Sequence, residues 1–86
     1  MSQTAFFHED SQSVRFWVHV QGQAVGASIR RETLHYRFRP DATGEDPLET
    51  YRTYTIPIDE AVRRRVALGS IEPVMLREFD LREAIA

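Results

Sequence analysis

The sequence predicts an α+β fold in two layers, a small three-stranded antiparallel sheet (β-β-α-α-β) with two or three helices packed on one face. Three observations lead there. Val14 to Val20 alternates apolar and polar residues, the stretch after it can fold back in register, and from Leu48 to Val66 the apolar residues recur at helical steps.

The first strand is Val14-Arg15-Phe16-Trp17-Val18-His19-Val20, strict alternation built from β-branched and aromatic residues. Gln21-Gly22 follows, and a two-residue turn there makes a hairpin with residues 23–29. In that register Val18 faces Val25, Phe16 faces Ala27 and Val14 faces Ile29, so one side of the hairpin is continuously apolar and belongs to the core. The other side pairs His19 with Ala24, Trp17 with Gly26 and Arg15 with Ser28.

From Arg31 to Phe38, the spacing of Leu34 and Phe38, with Thr33 and Tyr36 beside them, reads as a short helix stopped by Pro40. Residues 40–45 are loop chemistry. Asp46-Pro47-Leu48-Glu49 then starts a helix, with Asp46 as N-cap, Pro47 at the first helical position and Glu49 at the third. Leu48, Tyr51, Thr55, Ile58, Val62 and Val66 continue one helical face, and Gly69 is placed to stop it. Pro57 removes a backbone donor within that face, which predicts either one kinked helix or two, about 47–55 and 57–68. The apolar run 73–79 is too short to bury a helix face and reads as the third strand.

At 86 residues the chain has room for a single domain, 1–86, with residues 1–12 read as a loosely ordered tail. A two-domain cofactor enzyme is excluded. A domain of this length has a stability of only about 4–13 kcal/mol, so self-association would add burial that matters. The chain contains no cysteine, which removes disulfides, thiol nucleophiles and thiolate metal sites together. Its first dozen residues hold Glu9 and Asp10 but no basic residue and no apolar run of signal-peptide length, and no stretch is long and apolar enough to span a bilayer. The expected location is cytoplasmic, with no membrane contact.

All 11 basic residues are arginine, and Lys and Asn are absent together, a pairing that codon composition explains more simply than phosphate chemistry. Arg63-Arg64-Arg65 cannot form one patch, because successive helical residues point about 100° apart, and near a helix C-terminus they suit the dipole. With a net charge of −2, a general nucleic-acid surface is disfavoured.

No catalytic, cofactor-binding or metal-binding residues emerge. His8, Glu9 and Asp10 are consecutive and do not converge readily on one ion, and no His-x-x-x-His spacing occurs. Gly22, Gly26, Gly44 and Gly69 stand apart rather than in a phosphate-cradling loop, so no nucleotide cofactor is expected. Glu45-Asp46 and Asp59-Glu60 sit at helix starts, where the dipole accounts for them. His19 and His35 have no evident nucleophile or carboxylate partner, so no triad can be named.

A three-stranded sheet covered on one side leaves its other face open, and Arg15, Trp17 and His19 lie on it as the expected interaction surface. The competing reading is that Phe6 and Phe7 fold back over Trp17. The functional expectation is a non-enzymatic protein-interaction or homodimerisation module using that face and a sheet edge. The alternatives are a weak nucleic-acid-binding accessory protein acting through its arginines, and an enzyme with His19 or His35 in a concave pocket beside a carboxylate.

The series Val14-x-Phe16, Gly22, Ile29, Glu32, Leu34, the acid-Pro start at Asp46-Pro47, Gly69, and the closing Val74-x-Leu76-Arg77 with Asp80 resembles a family of small bacterial proteins, domain of unknown function 1488. The resemblance runs over residues 6–81. Arg30, where a small hydroxyl residue is usual, and Thr55-Ile56-Pro57, where polar helical residues are usual, depart from it. It implies a compact α+β domain of the bacterial cytoplasm and carries no activity to any residue.

Overall fold

The computed structural model describes residues 4–82. Its elements run β1 (Phe6–His8), β2 (Ser13–Val20), β3 (Gln23–Arg30), α1 (Arg31–Phe38), α2 (Pro47–Thr53), α3 (Thr55–Ala67), β4 (Val74–Leu76) and α4 (Glu78–Arg82). The fold is α+β, with one four-stranded mixed sheet in the order β1-β2-β3-β4.

The central hairpin has the expected register, with Val18 opposite Val25, Phe16 opposite Ala27 and Val14 opposite Ile29. Its turn places both Gln21 (φ 50°) and Gly22 (φ 81°) in the left-handed region, the backbone that a tight antiparallel turn with the native strand twist requires. Glycine adopts it freely.

Two corrections apply to the sheet. It has four strands rather than three, because Phe6–His8, expected as loose tail, pairs antiparallel with Ser13–Arg15. A three-residue strand is too short to show a period. The turn joining it to β2 places Gln12 at φ 52° and bonds the Gln12 N–H to the Glu9 carbonyl at 3.2 Å, while Phe7 packs against the core. Residues 1–3 of the expected tail lie outside the described residues. The sheet is also mixed rather than antiparallel, since β4 runs parallel to β3, pairing Ala27 with Val74 and Ile29 with Leu76. A crossover through the helical layer brings the chain back in the same direction, and three residues carry no signal of direction.

The helical part is divided differently from expectation. The expected strand 73–79 shortens to Val74–Leu76, and the residues after it form α4, a fourth helix whose Leu81 is buried. The break between α2 and α3 falls at Tyr54 rather than at Pro57. Pro57 sits in the first turn of α3, where an amide has no intrahelical partner in any case, so it causes no kink. The Thr55 hydroxyl donates to the carbonyls of Tyr51 and Arg52, both at 3.0 Å, tying the start of α3 to the end of α2.

The core lies between the inner sheet face and the helices. Val14, Phe16, Val18, Ile29, Val74 and Leu76 meet Leu34, Tyr51, Ile58, Val62 and Leu81, all at most 7% exposed. Phe16 packs on Tyr51 with ring centroids 4.6 Å apart. Each large apolar side chain so buried contributes roughly 1.5–3 kcal/mol. With the helices on that side, no helix among the described residues covers the outer sheet face.

Candidate functional site

Strand alternation puts Phe6, Arg15, Trp17, His19, Gly26, Ser28 and Met75 on the outer face. Arg15, Trp17 and His19 thus share one face; Arg15 and His19 are exposed and Trp17 is half-buried. Phe6 lies 6.1 Å from Trp17 at 32° and covers part of it, whereas Phe7 turns to the opposite side. Phe6 remains 41% exposed and Met75 57%.

Gly26 lies beside the Trp17 indole. A Cβ there would come within 3.5 Å of Trp17 Nε1 and 2.9 Å of the Glu72 carboxylate. The missing side chain lets that carboxylate reach the strand, where Glu72 Oε2 accepts the Gly26 N–H at 2.6 Å. A shallow groove of about 410 Å³ runs between Trp17, Pro73 and Met75, with Arg15 and Ser28 at its end.

The groove adjoins a second cavity of about 570 Å³, of mixed lining, that shares Arg15, Ser28 and Met75 with it. Arg30, Arg77, Ser11 and Ser13 complete its polar wall, with Glu78, which has an interaction of its own. Arg30 pairs with Glu32 at 3.0 Å. Among the described residues no ion pair reaches Arg15 or Arg77. Ser13 is only 5% exposed; its hydroxyl lies 2.6 Å from that of Ser11, which is 2.7 Å from His8 Nδ1. The same nitrogen accepts the Ser11 N–H at 3.2 Å, which makes Nδ1 an acceptor and the serine hydroxyl its donor. The group caps the β1–β2 turn.

The arginine run on α3 is dispersed, and its members are bonded rather than merely solvated. Arg63 donates to the His19 carbonyl at 3.4 Å and pairs with Glu60 at 3.1 Å, while Arg64 donates to the Asp80 carbonyl. Arg65 bonds Ser70, the Met75 carbonyl and Asp80, the last at 2.8 Å to a carboxylate only 5% exposed.

His35 has no partner at any helical or strand spacing, yet the loop before α2 brings one. Glu45 Oε1 lies 2.7 Å from His35 Nδ1, and Glu45 Oε2 accepts the hydroxyl of fully buried Thr50 at 2.6 Å. Burial raises the Glu45 pKa, but hydrogen bonds from Thr50 and His35, with the charges of His35 and Arg39, outweigh it and hold the carboxyl below its ordinary value. A concavity of about 270 Å³ adjoins His35 and Glu45. The carboxylate stands between imidazole and hydroxyl, so His35 does not activate Thr50; the three groups pin the loop to α1 and α2. Loop closure is a tertiary event, and ten residues of separation give no helical or strand spacing to read.

Inside the helical layer, burial raises the Asp59 pKa. Burial and the Asp59 charge also push the Tyr51 hydroxyl above its usual range. Among the described residues no three His, Asp or Glu side chains group to hold a metal, and no helix is long and apolar enough to cross a membrane. A family model described as protein of unknown function (DUF1488) matches residues 2–74. No curated protein and no solved structure matches.

Proposed function

Because the chain belongs to the DUF1488 family of proteins of unknown function, its role must be read from its own residues, and we propose a non-enzymatic interaction module that docks a partner protein segment on the open sheet face. One observation carries this reading. Trp17, Pro73 and Met75 line a mostly apolar groove, with Glu72 in its wall, beside Arg15, whose guanidinium is in no ion pair among the described residues.

An extended segment with a large apolar side chain for the groove and an acidic group for Arg15 matches both features. A second copy of this chain fits less well. In a two-fold contact the same patch meets itself, which brings Arg15 and Arg77 of both copies together. His35 meets Glu45 beside a concavity, the arrangement the enzymatic alternative asks for, but the neighbouring Thr50 hydroxyl donates to the carboxylate rather than to the imidazole, which favours the non-enzymatic reading.

The test is selection of a displayed peptide library on the protein, with sedimentation of the free chain. Enriched peptides should share an acidic residue near a large apolar one, and Trp17→Ala should abolish the enrichment. Equal enrichment on Trp17→Ala overturns the reading. A free chain that sediments as a Trp17-dependent dimer overturns it in favour of self-association.

A further inference from the structure

We propose that the 570 Å³ cavity at the end of the groove is a phosphate-binding subsite, and that the acidic group of the docked segment is a phosphorylated side chain. The second half rests on the docking reading above; the first stands alone.

Charge selects the ligand class. Arg15, Arg30 and Arg77 line the cavity with one carboxylate, that of Glu78, which has an interaction of its own; Arg30 pairs with Glu32, and among the described residues no ion pair joins the Arg15 or Arg77 guanidinium to a carboxylate. Three guanidinium groups against one lining carboxylate suit a dianion better than a single carboxylate. A phosphate monoester carries about −1.5 to −2 at neutral pH and presents three acceptor oxygens to fork-shaped donors.

The rest of the wall supplies a free hydroxyl beside apolar Met75 and Leu76. Ser28 contributes it at the sheet floor, while the Ser13 hydroxyl donates to Ser11. Helix α1 starts with Arg30 at its N-cap and no side-chain cap, and Thr33 of its first turn lines the cavity, so the positive end of the helix adds to the arginines.

Continuity with the apolar groove sets the spacing in the ligand. Arg15 and Trp17 are two residues apart on β2, a separation of roughly 6.6 Å along a strand. An extended peptide lying across both sites would therefore carry its phosphoryl group about two residues from its apolar anchor.

The experiment titrates the isotope-labelled full chain at low salt, followed by amide NMR, with four probes: inorganic phosphate, a short peptide with phosphoserine two residues from leucine, its serine counterpart, and a single-stranded oligonucleotide. Inorganic phosphate should shift the Ser13, Ser28 and Thr33 amides saturably. Arg15→Gln with Arg77→Gln should weaken binding roughly tenfold or more, while Glu32→Gln, which releases Arg30, should strengthen it. The phosphopeptide should bind at least about tenfold tighter than the serine peptide, with Trp17→Ala weakening the peptide but not inorganic phosphate.

No localised shift with inorganic phosphate overturns the subsite, and peptides that then bind equally leave the docking reading intact. Phosphate binding without any peptide binding upholds the subsite and overturns docking. An oligonucleotide that binds tighter than the phosphopeptide through Arg15 and Arg77 overturns the phosphopeptide assignment in favour of nucleic-acid phosphates.

Discussion

The arginines of α3 and those around the open sheet face carry the same group and serve opposite ends. Arg63, Arg64 and Arg65 are adjacent in sequence, and all three are bonded within the fold, Arg63 to the His19 carbonyl and Arg64 and Arg65 to the carbonyl and carboxylate of Asp80. Arg15, Arg30 and Arg77 are far apart in sequence, yet neighbouring strands bring them to one cavity, where among the described residues no ion pair reaches the guanidinium of Arg15 or Arg77. Position in the sequence therefore does not decide the role of an arginine, while the acceptors the fold brings within reach do. Satisfied guanidiniums hold the structure together. Unsatisfied ones are available to a ligand.

Removing one arginine from each set separates the two roles. Arg65→Met leaves the buried Asp80 carboxylate without its cation, and urea unfolding should show a loss of about 3 kcal/mol. A loss below about 0.5 kcal/mol, the usual range for an uninvolved surface position, would put Arg65 in the same class as Arg15.

Gly26→Ala should rank next. The new Cβ displaces the Glu72 carboxylate from the Gly26 amide and crowds Trp17, for a loss of about 1 kcal/mol and altered Trp fluorescence. Unchanged fluorescence would mean that Glu72 does not brace this face.

Two carboxylates give pH dependences of opposite sign. Glu45 is held below its ordinary 4.5, so its contribution is present above that pH and is lost as pH falls through the folded value. Asp59 is raised above its ordinary 3.8, so its contribution is full below that pH and is lost as pH rises through the folded value. Glu45→Gln should flatten the acid loss of stability, and Asp59→Asn should raise stability at neutral pH. The opposite result for either, in urea midpoints against pH, refutes the assignment.

The smallest expected effect is Arg15→Gln, within about 0.5 kcal/mol of wild-type stability. A larger loss would show that Arg15 has a structural partner and would weaken its claim as a ligand contact.

Much of the framework is legible because it is periodic. Val14, Phe16 and Val18 point inward since β2 alternates, and Leu34, Ile58 and Val62 point inward since their helices turn at 3.6 residues. The Arg15, Trp17 and His19 face follows from the same alternation. β1 and β4 are three residues each, too short for a period to appear, and α4 is a single turn beyond the second of them.

Sequence by itself determined which face of the hairpin is core and which residues lie on the other, because side-chain direction along a strand depends only on local backbone geometry. Tertiary structure alone decided that β4 returns parallel, that Glu45 reaches His35, and that Arg15, Arg30 and Arg77 line one cavity. Those pairings join residues distant along the chain. Their formation depends on chain reversal and layer packing, and no spacing of residues records it.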